Sequence, residues 1–166
     1  MKRWLKRIAL GVIGIALLAG AIIFIEIASG NAMGLFAGTR PKDLGFKAGQ
    51  FKPCSWKPNC VSSTAEASDN THFIAPFKFS DDLGADWRKL RAHIANIRNA
   101  AVVLEQPGYI HIEFKSEKLG FVDDVEFAID HQRSVIQVRS ASRLGIRDFQ
   151  VNRKRIEAIR SALSAK

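Results

Sequence analysis

The chain has 166 residues, 47% of them hydrophobic, and carries 25 Lys and Arg against 16 Asp and Glu, a formal charge of +9. Setting the first 29 residues aside leaves 166 less 29, or 137, which is the size of one ordinary domain with its own core and not of several. That same cut removes Lys2, Arg3, Lys6, Arg7 and Glu26, so 25 less 4 basic residues face 16 less 1 acidic ones, a remainder of +6. So mild an excess suits ordinary surface lysine and arginine, anionic headgroups, polyanionic envelope material or an acidic partner.

Lys2, Arg3, Lys6 and Arg7 precede an uncharged run from Ile8 to Ile25. A helix needs about 20 apolar residues to cross the hydrocarbon core, so residues 1–29 read as a single transmembrane anchor with Trp4 at the near headgroup level. A cleaved signal peptide is the alternative. Its apolar stretch runs only about 7–15 residues, and Ala19-Gly20-Ala21 is followed by Ile22-Ile23-Phe24, so a later cut after Ala32 is the form that alternative takes. No cysteine follows the apolar run closely enough for a lipid anchor. The basic cluster favours a cytoplasmic N-terminus, although Arg40, Lys42 and Lys47 follow the other end. The expected location is therefore the inner (plasma) membrane, with the domain on the periplasmic side. That compartment argues against nucleic acid as a partner.

Residues 30–52 read as a glycine-rich, basic connector without helical period, and residues 53–166 as the folded domain. Cys54 and Cys60, in CSWKPNC, read as a small disulfide loop, worth roughly 2 kcal/mol in the chain-entropy model. A metal site lacks ligands nearby, and redox chemistry lacks the Cys-x-x-Cys spacing. The stretch from Asn59 to Asn70 is polar and loop-like, and His72 to Phe79 is extended, with Pro76 placing it at an edge.

Ser80, Asp81 and Asp82 offer caps for a helix whose apolar stripe is Leu83, Trp87, Leu90, Ile94 and Ile97. Four strands follow: Ala101 to Glu105, Tyr109 to Lys115, Phe121 to Ile129 and Ser134 to Arg143. Ile156, Ile159 and Leu163 then mark a C-terminal helix, which Asn152 helps to start. The predicted fold is α+β: an antiparallel four-stranded meander packed by two helices and preceded by one transmembrane helix.

A four-residue turn at 130–133 would set Phe127 opposite Ile136, Val125 opposite Val138, Asp123 opposite Ser140 and Asp124 opposite Arg139. In that register Asp124–Arg139 is an ion pair on a wetter face, and Asp123 shares the apolar side with Phe121, Val125 and Phe127. A carboxylate there needs donors, because a lone buried charge costs several kcal/mol. Ser140 and Ser142 lie on its side, and Arg143, Arg147 or Arg153 could swing in. The candidate polar cluster is thus Asp123, Asp124, Arg139, Ser140, Ser142, Arg143, Asn152 and Arg153. It serves either to pin the last helix to the sheet or to line a pocket for a polar or anionic ligand.

No catalytic motif accompanies it. His72, His93, His111 and His131 stand in no recognisable relation to Ser140 or Ser142, and there is neither a Walker loop nor Gly-x-Gly-x-x-Gly. His111 and Glu113 share a strand face, but two ligands make a weak metal site. No metal and no cofactor is expected.

Four elements resemble a known family: GLFAGTRPKDLG at Gly34–Gly45, PNCVSS at Pro58–Ser63, GFVDDVEF at Gly120–Phe127 and VRSASRLGIRDFQVNRKRIE at Val138–Glu157. The chain is similar in these to the domain-of-unknown-function family 1499 of bacterial envelopes and plant plastids. The resemblance implies a shared fold and no established activity. It also implies that Asn59, Cys60, Ser62, Ser63, Asp123, Asp124, Arg139, Ser140, Ser142, Arg143, Asn152 and Arg155 are the signature positions. The functional expectation is a membrane-anchored, exported, non-catalytic binding or assembly module of the envelope, with an anionic or lipid ligand or an envelope protein as partner. The alternatives are a small hydrolase-like enzyme centred on Asp123, Ser140 and Arg143, and a helix-grip-like lipid carrier.

Overall fold

Period-two alternation in the second half of the chain builds a sheet, and one apolar stripe on each of two helices closes its inner side. The computed structural model describes residues 2–28 and 36–164. Its elements in chain order are α1 (Lys2–Ala28), β1 (Cys60–Ser62), α2 (Leu83–Ala95), β2 (Ala100–Gln106), β3 (Tyr109–Lys115), β4 (Val122–Asp130), β5 (Val135–Ser142) and α3 (Val151–Ser164). Within α1, Lys6–Ile25 is long and apolar enough to cross a membrane. A helix of this kind serves as a membrane anchor or a signal peptide. The cut considered after Ala32 and residues 30–35 of the connector lie outside the described residues.

The sheet has five strands, not four, in the order β1-β5-β4-β3-β2. The extra strand lies inside the stretch read as loop. It is only three residues long and pairs with β5, far away in sequence, so no local alternation announces it. The extended segment beyond it stays at that edge, where Phe77 and Ile136 exchange both backbone hydrogen bonds. The inner face carries Ile110, Ile112, Phe114, Val125, Phe127, Ile136 and Val138 against Trp87, Leu90 and Ile94 of α2 and Ile156, Ile159 and Leu163 of α3. Each such side chain stabilises the fold by roughly 1.5–3 kcal/mol on burial. Asp82 caps α2 by accepting from the Ala85 amide at 2.9 Å.

The β4–β5 register differs from expectation by two residues. Asp123 faces Ser142, Val125 faces Ser140, Glu126 faces Arg139 and Phe127 faces Val138. The turn occupies 131–134 because Asp130, the last residue of β4, accepts from the Gln132 and Arg133 amides and from Gln137 Nε2. Ser134 adopts φ +52° to close the turn. A shift of two leaves every side chain on its expected face, so the apolar pairing is consistent in either register.

The outer face is not the wetter one. Glu126 is fully buried and Asp124 is 2% exposed. Residues 36–52 run over this face as a strap: the Gly45 amide donates to Glu126 Oε1 at 2.7 Å and Arg40 Nε to Glu113 Oε1 at 2.5 Å. Gly38 permits the close approach. Its φ is +66°, and a Cβ there would stand 2.9 Å from Arg143 Cβ.

Candidate functional site

The pleat of β4 sends Asp123 to the inner face, toward the first turn of α3. Arg155 Nη2 donates to Asp123 Oδ2 at 2.6 Å, and Arg155 Nη1 donates to Ser140 Oγ at 3.1 Å and Asn152 Oδ1 at 2.8 Å. Ser140 Oγ donates to Asn152 Oδ1 at 2.5 Å. Asn152 Nδ2 in turn donates to the Asn59 carbonyl, Ser142 Oγ and Asp148 Oδ2. The guanidinium of Arg155 lies 4.7 Å from the Phe114 ring centroid, a cation–π contact. Ser140 therefore meets an amide oxygen and a guanidinium, neither of which is a base able to take its proton. This arrangement docks α3 to the sheet and to the residue before β1.

The same pleat sends Asp124 outward. Arg143 Nε donates to Asp124 Oδ2 at 2.8 Å and Nη2 to Oδ1 at 2.6 Å, while His111 Nε2 lies 2.8 Å from Oδ1. Arg143 Nη2 also donates to Glu113, which Arg40 holds from the other side. Glu126 accepts from Arg139 Nη1 at 3.1 Å, the Tyr109 hydroxyl at 2.8 Å and the Gly45 amide. Burial alone would raise the Asp124 carboxyl, but the hydrogen bonds from Arg143 and His111 outweigh it and hold its pKa below the ordinary value. Glu113 is lowered in the same way, its burial outweighed by the bonds from Arg40 and Arg143. The bond to Asp124 raises Arg143 further. Burial, with the charge of Glu126, pushes the Tyr109 hydroxyl far above its usual range.

Two of the openings among the described residues are lined by members of the predicted cluster. A pocket of about 230 Å³ lies between the strap, the disulfide loop and the outer sheet face, with Lys52, Lys57, Asn59, Arg139 and Arg143 among its walls. Among the described residues, Lys57 Nζ has no carboxylate partner, and buried Arg139 Nε has no hydrogen-bond acceptor. A second cleft, of about 300 Å³, opens where β4 and β5 meet α3, lined largely by apolar atoms of Phe121, Val122, Leu144, Phe149 and Val151, with Asp123 at its edge.

The predicted cluster is thus divided by the sheet. Asp123, Ser140, Ser142 and Asn152 meet on the inner face, whereas Asp124, Arg139 and Arg143 belong to the outer one. Asp124 does not pair with Arg139: the two-residue register change puts Glu126 opposite that arginine instead. Arg153 does not reach Asp123. Its guanidinium caps the carbonyls of Asn70, Thr71 and Phe73, one face of α3 away. Arg155, which faces the sheet three residues after Asn152, takes that place. Helical spacing points to it, since i and i+3 share a face. Asp148 starts α3, accepting from the Gln150 and Asn152 amides. Glu113, His111, Glu126 and Tyr109 complete the outer network, their shared strand face being the available signal. His111 and Glu113 bind Asp124 and arginines, and among the described residues no three His, Cys, Asp or Glu side chains gather as metal ligands.

Fold and site together define an α+β domain with buried ion pairs on both faces of a central antiparallel sheet. The chain belongs to the family described as Protein of unknown function (DUF1499), whose model matches residues 50–163. The element at Gly34–Gly45 precedes that matched span. No curated protein and no solved structure matches the chain.

Proposed function

We propose that this chain is a single-pass membrane protein whose domain lies in an oxidising compartment and acts by binding an anionic ligand, not by catalysis. The observation that carries this reading is the saturation of the acids. Asp123 is taken by Arg155, Asp124 by Arg143 and His111, and Glu126 by Arg139, Tyr109 and the Gly45 amide. Carboxylates so engaged are poor general bases, because the oxygens that would take a substrate's proton are already bonded to protein donors. The Cys54–Cys60 disulfide supports the oxidising compartment. The α1 segment supports the anchor.

The ligand's place in this reading is the outer pocket. Of the basic side chains in its walls, Lys57 has no carboxylate partner among the described residues, while Lys52, Arg139 and Arg143 are paired with Asp43, Glu126 and Asp124. Its volume suits a phosphate- or carboxylate-bearing group of modest size. Native mass spectrometry of the full chain extracted from its membrane tests the proposal. The expected spectrum holds an acidic adduct in the wild type that is lost in the Lys57→Glu variant. A clean apo mass for the wild type, with phosphate added to excess, counts against ligand binding.

A further inference from the structure

The loop between β5 and α3 exposes apolar side chains that a water-facing turn has no use for. Phe149 is 83% exposed and Ile146 55%, and Leu144, Val151 and Leu119 are also exposed. Phe149 and Gln150 both adopt left-handed backbone conformations, at φ +53° and +65°, in the turn that leaves the Phe149 ring outside the core. Behind this tip lies the apolar cleft of about 300 Å³. Arg147 lines it, and exposed Lys118 and Lys154 stand near its wall residues in the sequence, against exposed Glu117 and half-buried Asp148.

What covers this surface is indicated by where the chain enters the domain. The Phe36 ring packs on Phe121, a wall of the cleft, with ring centroids 5.1 Å apart. Gly38 abuts Leu144, so near that an added Cβ would lie 3.1 Å from its Cγ. The described chain therefore begins, after α1, on the very patch that carries the apolar tip. Only residues 29–35 separate Ala28 from Phe36, a path of at most about 28 Å when fully extended. A domain of residues 36–164 is about 36 Å across by size scaling, so so short a tether keeps its entry face toward the end of α1.

We propose that the tip formed by Leu144, Ile146, Phe149 and Val151 docks into the lipid bilayer that holds α1, with Lys118, Arg147 and Lys154 meeting anionic headgroups. This rests on the reading of α1 as a retained membrane anchor. Apolar side chains seated in the headgroup region with basic ones around them are the composition that interfacial binding requires. Docking there fixes the orientation of the domain: the turn at 131–134, at the other end of β4 and β5, points away from the membrane.

The test uses the full chain in vesicles of phosphatidylethanolamine and phosphatidylglycerol. An environment-sensitive fluorophore is attached in turn to Gln150→Cys, Gln132→Cys and Ile15→Cys, with doxyl-labelled lipids as quenchers. Docking predicts that the label at 150 is blue-shifted and quenched by shallow doxyl lipid, that the label at 132 is neither, and that the label at 15 is quenched by deep doxyl lipid. Adding Phe149→Asp and Ile146→Asp should abolish quenching at 150 while the circular dichroism spectrum is unchanged. Quenching at 15 without quenching at 150 overturns docking and leaves the anchor standing. No quenching at 15 overturns both. A blue-shifted but unquenched label at 150 means that protein, either a partner or a second copy, covers the tip, and this too overturns the proposal.

Discussion

Asp123 and Asp124 adjoin on β4 yet are held by different arginines on opposite faces of the sheet, Arg155 at 2.6 Å on the helix side and Arg143 at 2.6 Å on the strap side. The pleat alone produces this division, since neighbouring side chains on a strand must point apart. The two pairs differ in burial. The side chains of Asp124 and Arg143 are 2% and 6% exposed, those of Asp123 and Arg155 12% and 14%.

That difference orders the consequences of neutralising each acid. Asp124→Asn leaves Arg143 with Glu113 alone and deprives His111 of its acceptor. Breaking a buried pair from one side costs about 3–5 kcal/mol. Asp123→Asn leaves Arg155 bonded to Ser140 and Asn152 and stacked on Phe114, so a loss of about 1–2 kcal/mol is expected. Urea unfolding of the full chain in detergent measures both. The reverse ranking would show that the outer network is not the stronger constraint.

Acid should expose the same network. Asp124 and Glu113 have lowered pKa values in the fold, so the unfolded chain binds more protons in acid and stability rises with pH there. Their contribution is fully present above about pH 5, beyond the ordinary carboxylate range, and disappears as pH falls through the lowered native values. Unfolding free energies between neutral and strongly acid pH should therefore drop below the ordinary carboxylate range. The Asp124→Asn chain should show a shallower fall; an unchanged slope would remove Asp124 as a source of the acid sensitivity.

Gly38→Ala tests the strap. The substitution demands φ +66° of an alanine and places its Cβ 2.9 Å from Arg143 Cβ. Left-handed backbone without glycine costs about 1 kcal/mol, and the clash adds to it. The expected result is a loss of about 1–3 kcal/mol, with Arg143 displaced from Asp124. A lowered melting temperature, together with faster amide exchange at Gly45, whose N–H meets Glu126, would report the strap lifting from the sheet.

Local pattern made the four long strands, both helices of the domain and the disulfide legible, because alternation, a 4-3-4-3 stripe and a seven-residue cysteine loop are each written in neighbouring residues. Membership of the family was legible too, through the elements at Pro58–Ser63, Gly120–Phe127 and Val138–Glu157. What escaped depends on pairing across long separations. β1 exists because Val61 meets Ser140, and the outer face is dry because Gly45 reaches Glu126, 81 residues on. The arginine partners escaped for a related reason: several guanidiniums near the end of the chain had the length to reach Asp123, and only the rotation of α3 chooses Arg155 over Arg153. The turn at 131–134 begins one residue later than the alternation predicts, as Asp130 reads equally well as a turn residue and as the last of a strand whose carboxylate closes that turn.

Opening the disulfide should loosen the site from one edge. Cys60 is both half of the disulfide and the first residue of the three-residue strand β1, and Asn59 beside it accepts from the Ser142 amide at 2.9 Å and from Asn152 Nδ2 at 3.1 Å. Closing so short a loop contributes roughly 2 kcal/mol in the chain-entropy model, and a strand this short has few other bonds to hold it. Cys54→Ser with Cys60→Ser should lower global stability by about that amount. The local effect should be larger. Amide exchange should accelerate first at Ser62, Ser63 and Ser142, which bond to His72, Val138 and Asn59, while β3 and the middle of β4 keep their protection. Uniform acceleration over all five strands would mean instead that β1 unfolds only with the whole domain, and that the disulfide acts on the fold at large and not on the edge that seats Asn152.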